Sequence, residues 1–467
     1  MADLDGGLQR IQCGYLPEER QRATANRCGH SCKKAPMPGK AQDSQTNPSS
    51  SADSWLDKLG PGLVTGAADD DPSGIATYSQ AGAQFGFQLL WSLLLTYPLM
   101  VGIQMISARI GRVSGHGLAT NIRQHYPAWL LYTLVSLLVL ANTINIAADI
   151  SAMADAVTLK LGGSVHLYVV FFGVLSLLLQ VFIPYKNYVR ILKWLTLVLL
   201  AYVATAFMVK IPCSAVLRQT FLPHIQWKPD YITTVVAVFG TTISPYLFFW
   251  QASQEVEEMR VQPRAQALKK TLDQAEKQLR RIKIDTVIGM AFSNLVAFFI
   301  VLTTAVTLNA HGITDIQTSA QAATALRPIA GEFAFLLFTI GIVGTGLLAV
   351  PVLAGSAAYA VAGTFHWKNS LESKPMAAKA FYGIIAASML LGMAIGLSPI
   401  DPIKALFWSA VINGVISVPI MVVMMLMAAR SDIMGSLVVG LRLKVLGWLC
   451  TGAMLVAVLA MLITMAS

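Results

Sequence analysis

Four largely apolar runs, Leu195 to Val209, Val287 to Leu308, Phe333 to Ala362 and Leu446 to Met465, constrain this chain more than any other feature. With their neighbours they are long enough to cross a hydrocarbon core of ~30 Å. Inside that core the backbone must satisfy its own polar groups, which a helix does within its own segment. Composition agrees: 12% of the 467 residues are charged and the mean hydropathy is +0.60, whereas a soluble domain carries roughly a quarter charged residues. The chain is expected to be an all-α polytopic membrane protein.

Such runs suggest about eleven spans, at roughly 61–82, 88–108, 129–157, 166–184, 190–211, 232–252, 284–309, 332–364, 377–397, 401–428 and 443–465. With the N-terminus in the cytosol, 28 of the 34 Lys and Arg residues fall on the cytosolic side and 6 on the other, as the positive-inside rule requires. An odd number of spans then puts the C-terminus outside, and the expected location is a bacterial inner (plasma) membrane. The formal charge of +10 is spread over short membrane-flanking loops, so it indicates topology rather than nucleic acid.

Residues 1–54 are rich in Gly, Ser, Gln, Pro and mixed charge and lack an apolar period. They read as a disordered cytosolic tail ahead of a transporter domain at 55–467. The tail holds Cys13 and Cys28-Gly-His30-Ser-Cys32, whose spacing fits no standard zinc site. No structural disulfide is expected, since Cys213 and Cys450 lie in or beside spans. Glu255 to Lys283 is charged, with apolar residues at three- and four-residue steps through Leu268, Leu272, Ala275 and Leu279. That pattern predicts a cytosolic amphipathic connector helix.

Two spans are interrupted. The first carries Gly60-Pro61-Gly62, then Gly66-Ala67-Ala68-Asp69-Asp70-Asp71-Pro72-Ser73-Gly74. Charges inside a membrane are costly unless paired or hydrated, so three consecutive carboxylates call for a cation. An alternative places them in a surface loop and starts the span at Ile75, which obliges that span to absorb Tyr78, Gln80, Gln84 and Gln88. The sixth span repeats the theme with Phe239-Gly240-Thr241-Thr242-Ile243-Ser244-Pro245-Tyr246, unless its proline only kinks a structural helix. Two broken helices five spans apart point to inverted five-span repeats with a midplane site, the eleventh span standing outside them. The carbonyl ends of both half-helices would face a cation, with Asp71 as the main negative charge.

At these residues the chain resembles the Nramp family of divalent metal transporters, and within it the magnesium-transporting branch most. The resemblance is carried by Gly60-Pro61-Gly62, Asp71-Pro72, Ala76-Thr77, Gln80-Ala-Gly82-Ala, Phe85-Gly86-Phe87-Gln-Leu-Leu-Trp91 and Pro245. It implies a LeuT-like (APC) fold of 5+5 inverted repeats with broken helices 1 and 6. It also implies a metal site at Asp71, the carbonyls of Ala68 and Thr241, and the positions of Gly74, Ser244 and Tyr246, where family members carry Asn, Met and His. Asp69 and Asp70 are added acids beside that set. Losing a thioether and gaining room suits a partly hydrated hard cation, since Mg²⁺ prefers oxygen and retains several waters. Proton coupling looks impaired as well: Tyr246 replaces the histidine, and on the third span Asp149 is kept while the family's glutamate position is Ala152, with Asp155 one turn on. Uptake of Mg²⁺, with Mn²⁺ also carried, by alternating access is the expected function. A proton-coupled Mn²⁺/Fe²⁺ importer and an organic-solute symporter of the same fold are the alternatives. No enzymatic constellation and no cofactor are expected. The partners are the lipid bilayer and the divalent cation substrate, with no nucleic acid, and the chain is expected to be a monomer or weak oligomer. Asn413 either faces the cavity or bonds a neighbouring helix. Gly341-x-x-Gly344-Thr-Gly346 indicates close helix packing, and His116, His125, His311 and His366 receive no role.

Overall fold

Proline and aspartate set the first two helices. A computed structural model of the chain describes residues 61–183, 196–261 and 265–466. The 1–54 tail, with Cys13, Cys28, His30 and Cys32, lies outside them. Helix α1 (Pro61–Asp69) stops within the aspartate run, and α2 (Pro72–Phe85) starts after a gap of two residues. Asp71 caps α2: its backbone is extended (φ −72°, ψ 170°) and its Oδ1 accepts the Gly74 N–H at 2.7 Å. Pro72 fills the first helical position, where its missing N–H costs nothing. The second break lies between α9 (Pro229–Thr242) and α10 (Pro245–Val261), with Ile243 at φ −123°, ψ 59°.

The remaining elements are helical too among the described residues: α3 (Leu90–Ser114), α4 (Leu118–His125), α5 (Ala128–Leu161), α6 (Val165–Phe182), α7 (Leu200–Met208), α8 (Cys213–Phe221), α11 (Ala275–Thr307), α12 (Ser319–Ala323), α13 (Arg327–Ala330), α14 (Ala334–Phe365), α15 (Lys379–Gly396), α16 (Pro402–Ala428), α17 (Ser431–Met434) and α18 (Leu441–Ala466). Among the described residues nine helical stretches are long and apolar enough to cross a membrane. The difference from eleven has two sources. The second half of the first span runs into the second span as one stretch, Pro72–Ser114, and the fifth begins in undescribed residues, leaving the shorter apolar helix Leu197–Met208.

The stretch from α9 to α10 is central: its membrane window is 100% buried, against 28% for α6 and for α18, which face outward. The expected connector helix does not form. Glu255 to Val261 instead prolong α10, residues 265–271 are non-helical, and Ala275 to Lys283 already belong to α11. Tertiary bonds override the local period. Arg281 is held by Glu255 at 2.5 Å and Glu258 at 2.6 Å, and the N–H groups of Leu268 and Lys269 donate to the carbonyls of Arg112 and Val113 at the end of α3. Cys213 and Cys450 are free thiols.

Helix α1 is registered on α11 through three contacts, spaced four and then three residues apart on α1 and four apart on α11. The Gly62 N–H donates to Asp285 Oδ2 at 2.6 Å, the Gly66 Cα lies against the Gly289 backbone, and Asp69 meets Ser293. Small residues let membrane helices approach this closely, where packing and polar contacts replace a hydrophobic drive. Farther along, α2 leans on α11 and α10 leans on α3, each second half-helix resting on a long helix of the other half of the chain. Gly346 packs on Met153 of α5, in keeping with the packing role expected of that glycine run.

A Cβ at residue 66 would land on the Gly289 backbone, which cannot swing away. Overpacking of this kind costs about 1–3 kcal/mol or more. Gly66→Val is therefore expected to lower the midpoint of thermal unfolding in detergent by several degrees or abolish the monodisperse peak. Gly452→Val, with nothing within 4 Å of its Cβ, should leave both unchanged; equal behaviour of the two variants would refute the contact.

Candidate metal centre

Asp71 divides its two carboxylate oxygens between two tasks. While Oδ1 caps α2, Oδ2 accepts from Asn145 Nδ2 of α5 at 3.2 Å and from the Tyr246 hydroxyl of α10 at 3.3 Å. The Tyr246 hydroxyl is also 3.2 Å from the Ala68 carbonyl at the end of α1. One phenolic proton thus sits between two oxygens, Ala68 O and Asp71 Oδ2. Both helix breaks meet here, and Asp71, Ala68 and Tyr246 are all at most 2% exposed.

Gly74 lines the same spot. An ideal Cβ there would lie 3.1 Å from Thr241 Oγ1 and 3.4 Å from both the Asp69 carbonyl and the Tyr78 ring. A larger side chain at 74 would press on the end of α9, so the glycine keeps open the gap between the breaks. Ser244 reaches back instead, its Oγ 2.8 Å from the carbonyls of Gly240 and of Thr241. The Thr241 carbonyl, one of the expected ligands, is therefore engaged by the residue that stands at the family's methionine position.

Asp69 and Asp70 diverge from Asp71. Both turn to α11, where Ser293 Oγ lies 2.5 Å from Asp69 Oδ2 and 3.0 Å from Asp70 Oδ1. Among the described residues no group of three or more His, Cys, Asp or Glu side chains is placed to hold a metal together. The other hydroxyls of the breaks are committed elsewhere: Ser73 Oγ donates to the Leu406 carbonyl and receives Ser409 of α16, while Thr242 bonds its own helix at Val238 and Phe239.

Asp149 of α5 is fully buried near Asp71 and beside the Ser73 backbone, and neither of its oxygens closes a hydrogen bond. Asp155 does not join it, being only half-buried and six residues on, about 240° around the helix at 3.6 residues per turn. Asn413 is buried with its Oδ1 unpartnered, one turn beyond Ser409 on α16. Sequence reading missed Ser293; the only signal was a Ser-Asn pair inside the apolar run from Val287 to Leu308. His116 lies apart, where burial first and then the charges of Lys269 and Arg260 hold its imidazole below the ordinary range, a setting that repels a cation.

Known proteins resemble this chain over most of its length. A family model described as Natural resistance-associated macrophage protein-like (Nramp) matches residues 62–464. The Divalent metal cation transporter MntH of Deinococcus radiodurans is 27% identical over 405 residues, 84% of this chain and 86% of its own. Its namesake from Klebsiella pneumoniae is 25% identical over 397 residues, 84% of this chain and 90% of its own. Among solved structures, a manganese transporter of Eremococcus coleocola superposes with a TM-score of 0.66 at 18% identity, covering 88% of this chain and 87% of the other. Mhp1, a nucleobase-cation-symport-1 family transporter, superposes at 0.55 with 12% identity, covering 87% and 92%. These structural likenesses establish a shared helical fold.

Tyr246→Phe keeps the ring and removes the donor that serves both Ala68 and Asp71. A lost hydrogen bond to a buried charged group costs about 1.5–3 kcal/mol, so metal-free protein should unfold at a lower temperature by differential scanning fluorimetry. An unchanged midpoint would mean that the hydroxyl does not hold the two breaks together.

Proposed function

The chain belongs to the Nramp family and is a membrane carrier of divalent metal cations; from that premise we propose that its principal cargo is Mg²⁺, with Mn²⁺ also carried, bound partly hydrated at Asp71. The observation that carries this reading is the meeting of the Asp71 carboxylate, the Ala68 carbonyl and the Tyr246 hydroxyl at the two helix breaks, with neither thioether nor imidazole at positions 244 and 246. An all-oxygen set with few protein ligands suits a hard ion that keeps part of its water shell.

In this mechanism the ion takes the place of the phenolic O–H between Ala68 O and Asp71 Oδ2, and Tyr246, keeping its proton, turns its oxygen toward the ion or swings away. Asn145 keeps the carboxylate oriented. Gly74 leaves room for retained water, and the Thr241 carbonyl becomes available when the Ser244 hydroxyl turns from it. Alternating access then exposes the site to each side in turn, in a bacterial inner membrane with the N-terminus cytosolic, the C-terminus outside, and the chain working as a monomer or weak oligomer. Because no histidine stands at 246, protons are not obligatory partners. A membrane potential of about 100 mV supplies ~4.6 kcal/mol to a divalent ion, from ~2.3 per charge, which is enough to drive uptake. The competing reading, a proton-coupled Mn²⁺/Fe²⁺ importer, draws support from Asp149, a buried carboxylate near Asp71.

Reconstitution into liposomes holding a fluorescent Mg²⁺ indicator and a pH dye tests this. A negative-inside potential should drive Mg²⁺ entry without acidification, and Asp71→Ala should reduce it to the rate of protein-free vesicles. Metal-linked acidification would favour the proton-coupled reading. Ser244→Met should raise the Mn²⁺ to Mg²⁺ flux ratio about tenfold, the effect of ~1.4 kcal/mol at one ligand position; an unchanged ratio would sink the argument from ligand hardness.

A further inference from the structure

Asp69 and Asp70 are 0% and 1% exposed, and the polar group that they share is Ser293. A serine hydroxyl has one hydrogen, so it donates to one of the two carboxylates at a time. That leaves Asp69 Oδ1 and Asp70 Oδ2 buried without a partner. A third group lies close by. The Tyr78 side chain of α2 is fully buried, its ring and the Asp69 carbonyl both flank Gly74, and its hydroxyl has no hydrogen-bond partner. Three elements, the end of α1, the bend after it and the middle of α11, thus supply two carboxylates and a hydroxyl, with a phenol from α2 beside them. Buried carboxylates are kept ionised only by pairing, hydrogen bonds or a metal, and none of the cationic side chains paired in the structure pairs with these two.

We propose that Asp69, Asp70 and Ser293 form a second cation subsite, separate from Asp71, that takes a hard divalent cation. The inference rests on the reading of the chain as a divalent-cation carrier and adds a second bound ion to it. The donor set is all oxygen, its two formal negative charges match one divalent ion, and its remaining coordination positions go to water, as hard cations with few protein ligands prefer. The two subsites diverge from one strip of backbone: Asp71 looks toward α5 and α10, whereas Asp69 and Asp70 look toward α11. An ion at the second subsite would tie α1 to α11 on the rung where Ser293 already touches both acids.

Counting bound Mn²⁺ per chain tests this, using purified full-length protein in nanodiscs and the electron paramagnetic resonance signal of the free ion. Wild type should bind two Mn²⁺ per chain at saturation. The Asp69→Asn/Asp70→Asn variant should bind one, and Asp71→Ala should also bind one. Stoichiometry is the readout because removing two charges weakens Asp71 electrostatically without changing its number of sites. Ser293→Ala, a small change that keeps both carboxylates, guards against misfolding of the double variant and should weaken the second binding step about tenfold. One Mn²⁺ in wild type and in the double variant, with none in Asp71→Ala, overturns the second subsite and leaves the Asp71 site standing. No Mn²⁺ bound by wild type overturns both.

Discussion

Everything central in this molecule depends on one carboxylate holding two helix ends apart without leaving either unsatisfied. A break in a bilayer-spanning helix frees backbone groups where no lipid can satisfy them, and Asp71 answers with Oδ1 on the Gly74 N–H and Oδ2 toward Asn145 and Tyr246. The cap makes α2 possible immediately after α1 ends. The other oxygen brings α5 and α10 to the same point. A residue needed for the fold and a residue suited to a cation are thereby one residue, and substitutions at 71 affect both.

Much of this was legible in the sequence because its causes are local. Asp-Pro-Ser-Gly is a helix cap written in four letters, and Ser244-Pro245 marks a restart in the same way, so the positions of both breaks followed from residue type alone. The spans followed from apolar length. What sequence could not supply was direction: three neighbouring aspartates look alike in a string, yet Asp71 faces α5 and α10 while Asp69 and Asp70 face α11. The connector between α10 and α11 misled for a related reason. Its helical period is real, but Glu255, Glu258 and Arg281 recruit its two ends into the flanking helices.

The hydroxyls in the breaks bear on selectivity differently from their count in the sequence. Ser73, Thr242 and Ser244 each have a bond that competes with an ion, to Leu406, to the α9 backbone and to the Gly240 and Thr241 carbonyls. On the proposed reading, hardness at this site would come mainly from carbonyl and carboxylate oxygen and from the soft ligand that is missing, with Gly74 contributing space rather than a donor. Ser244 would also act as a placeholder on that reading, since its hydroxyl occupies the Thr241 carbonyl that the proposal assigns to the ion.

The three rungs between α1 and α11 have a mechanical consequence. Gly62 on Asp285, Gly66 on Gly289 and Asp69 on Ser293 mesh like teeth on a rack. Tilting α1 alone strips all of them, while tilting it together with α11 strips none. The nine residues of α1 are thus coupled to the longer helix along their whole length, up to the bend at Asp70, which Ser293 also holds. Because α2, capped by Asp71, also leans on α11, both sides of the first break are anchored on that one long helix, so a displacement of α11 reaches the Ala68 carbonyl and the Asp71 carboxylate together.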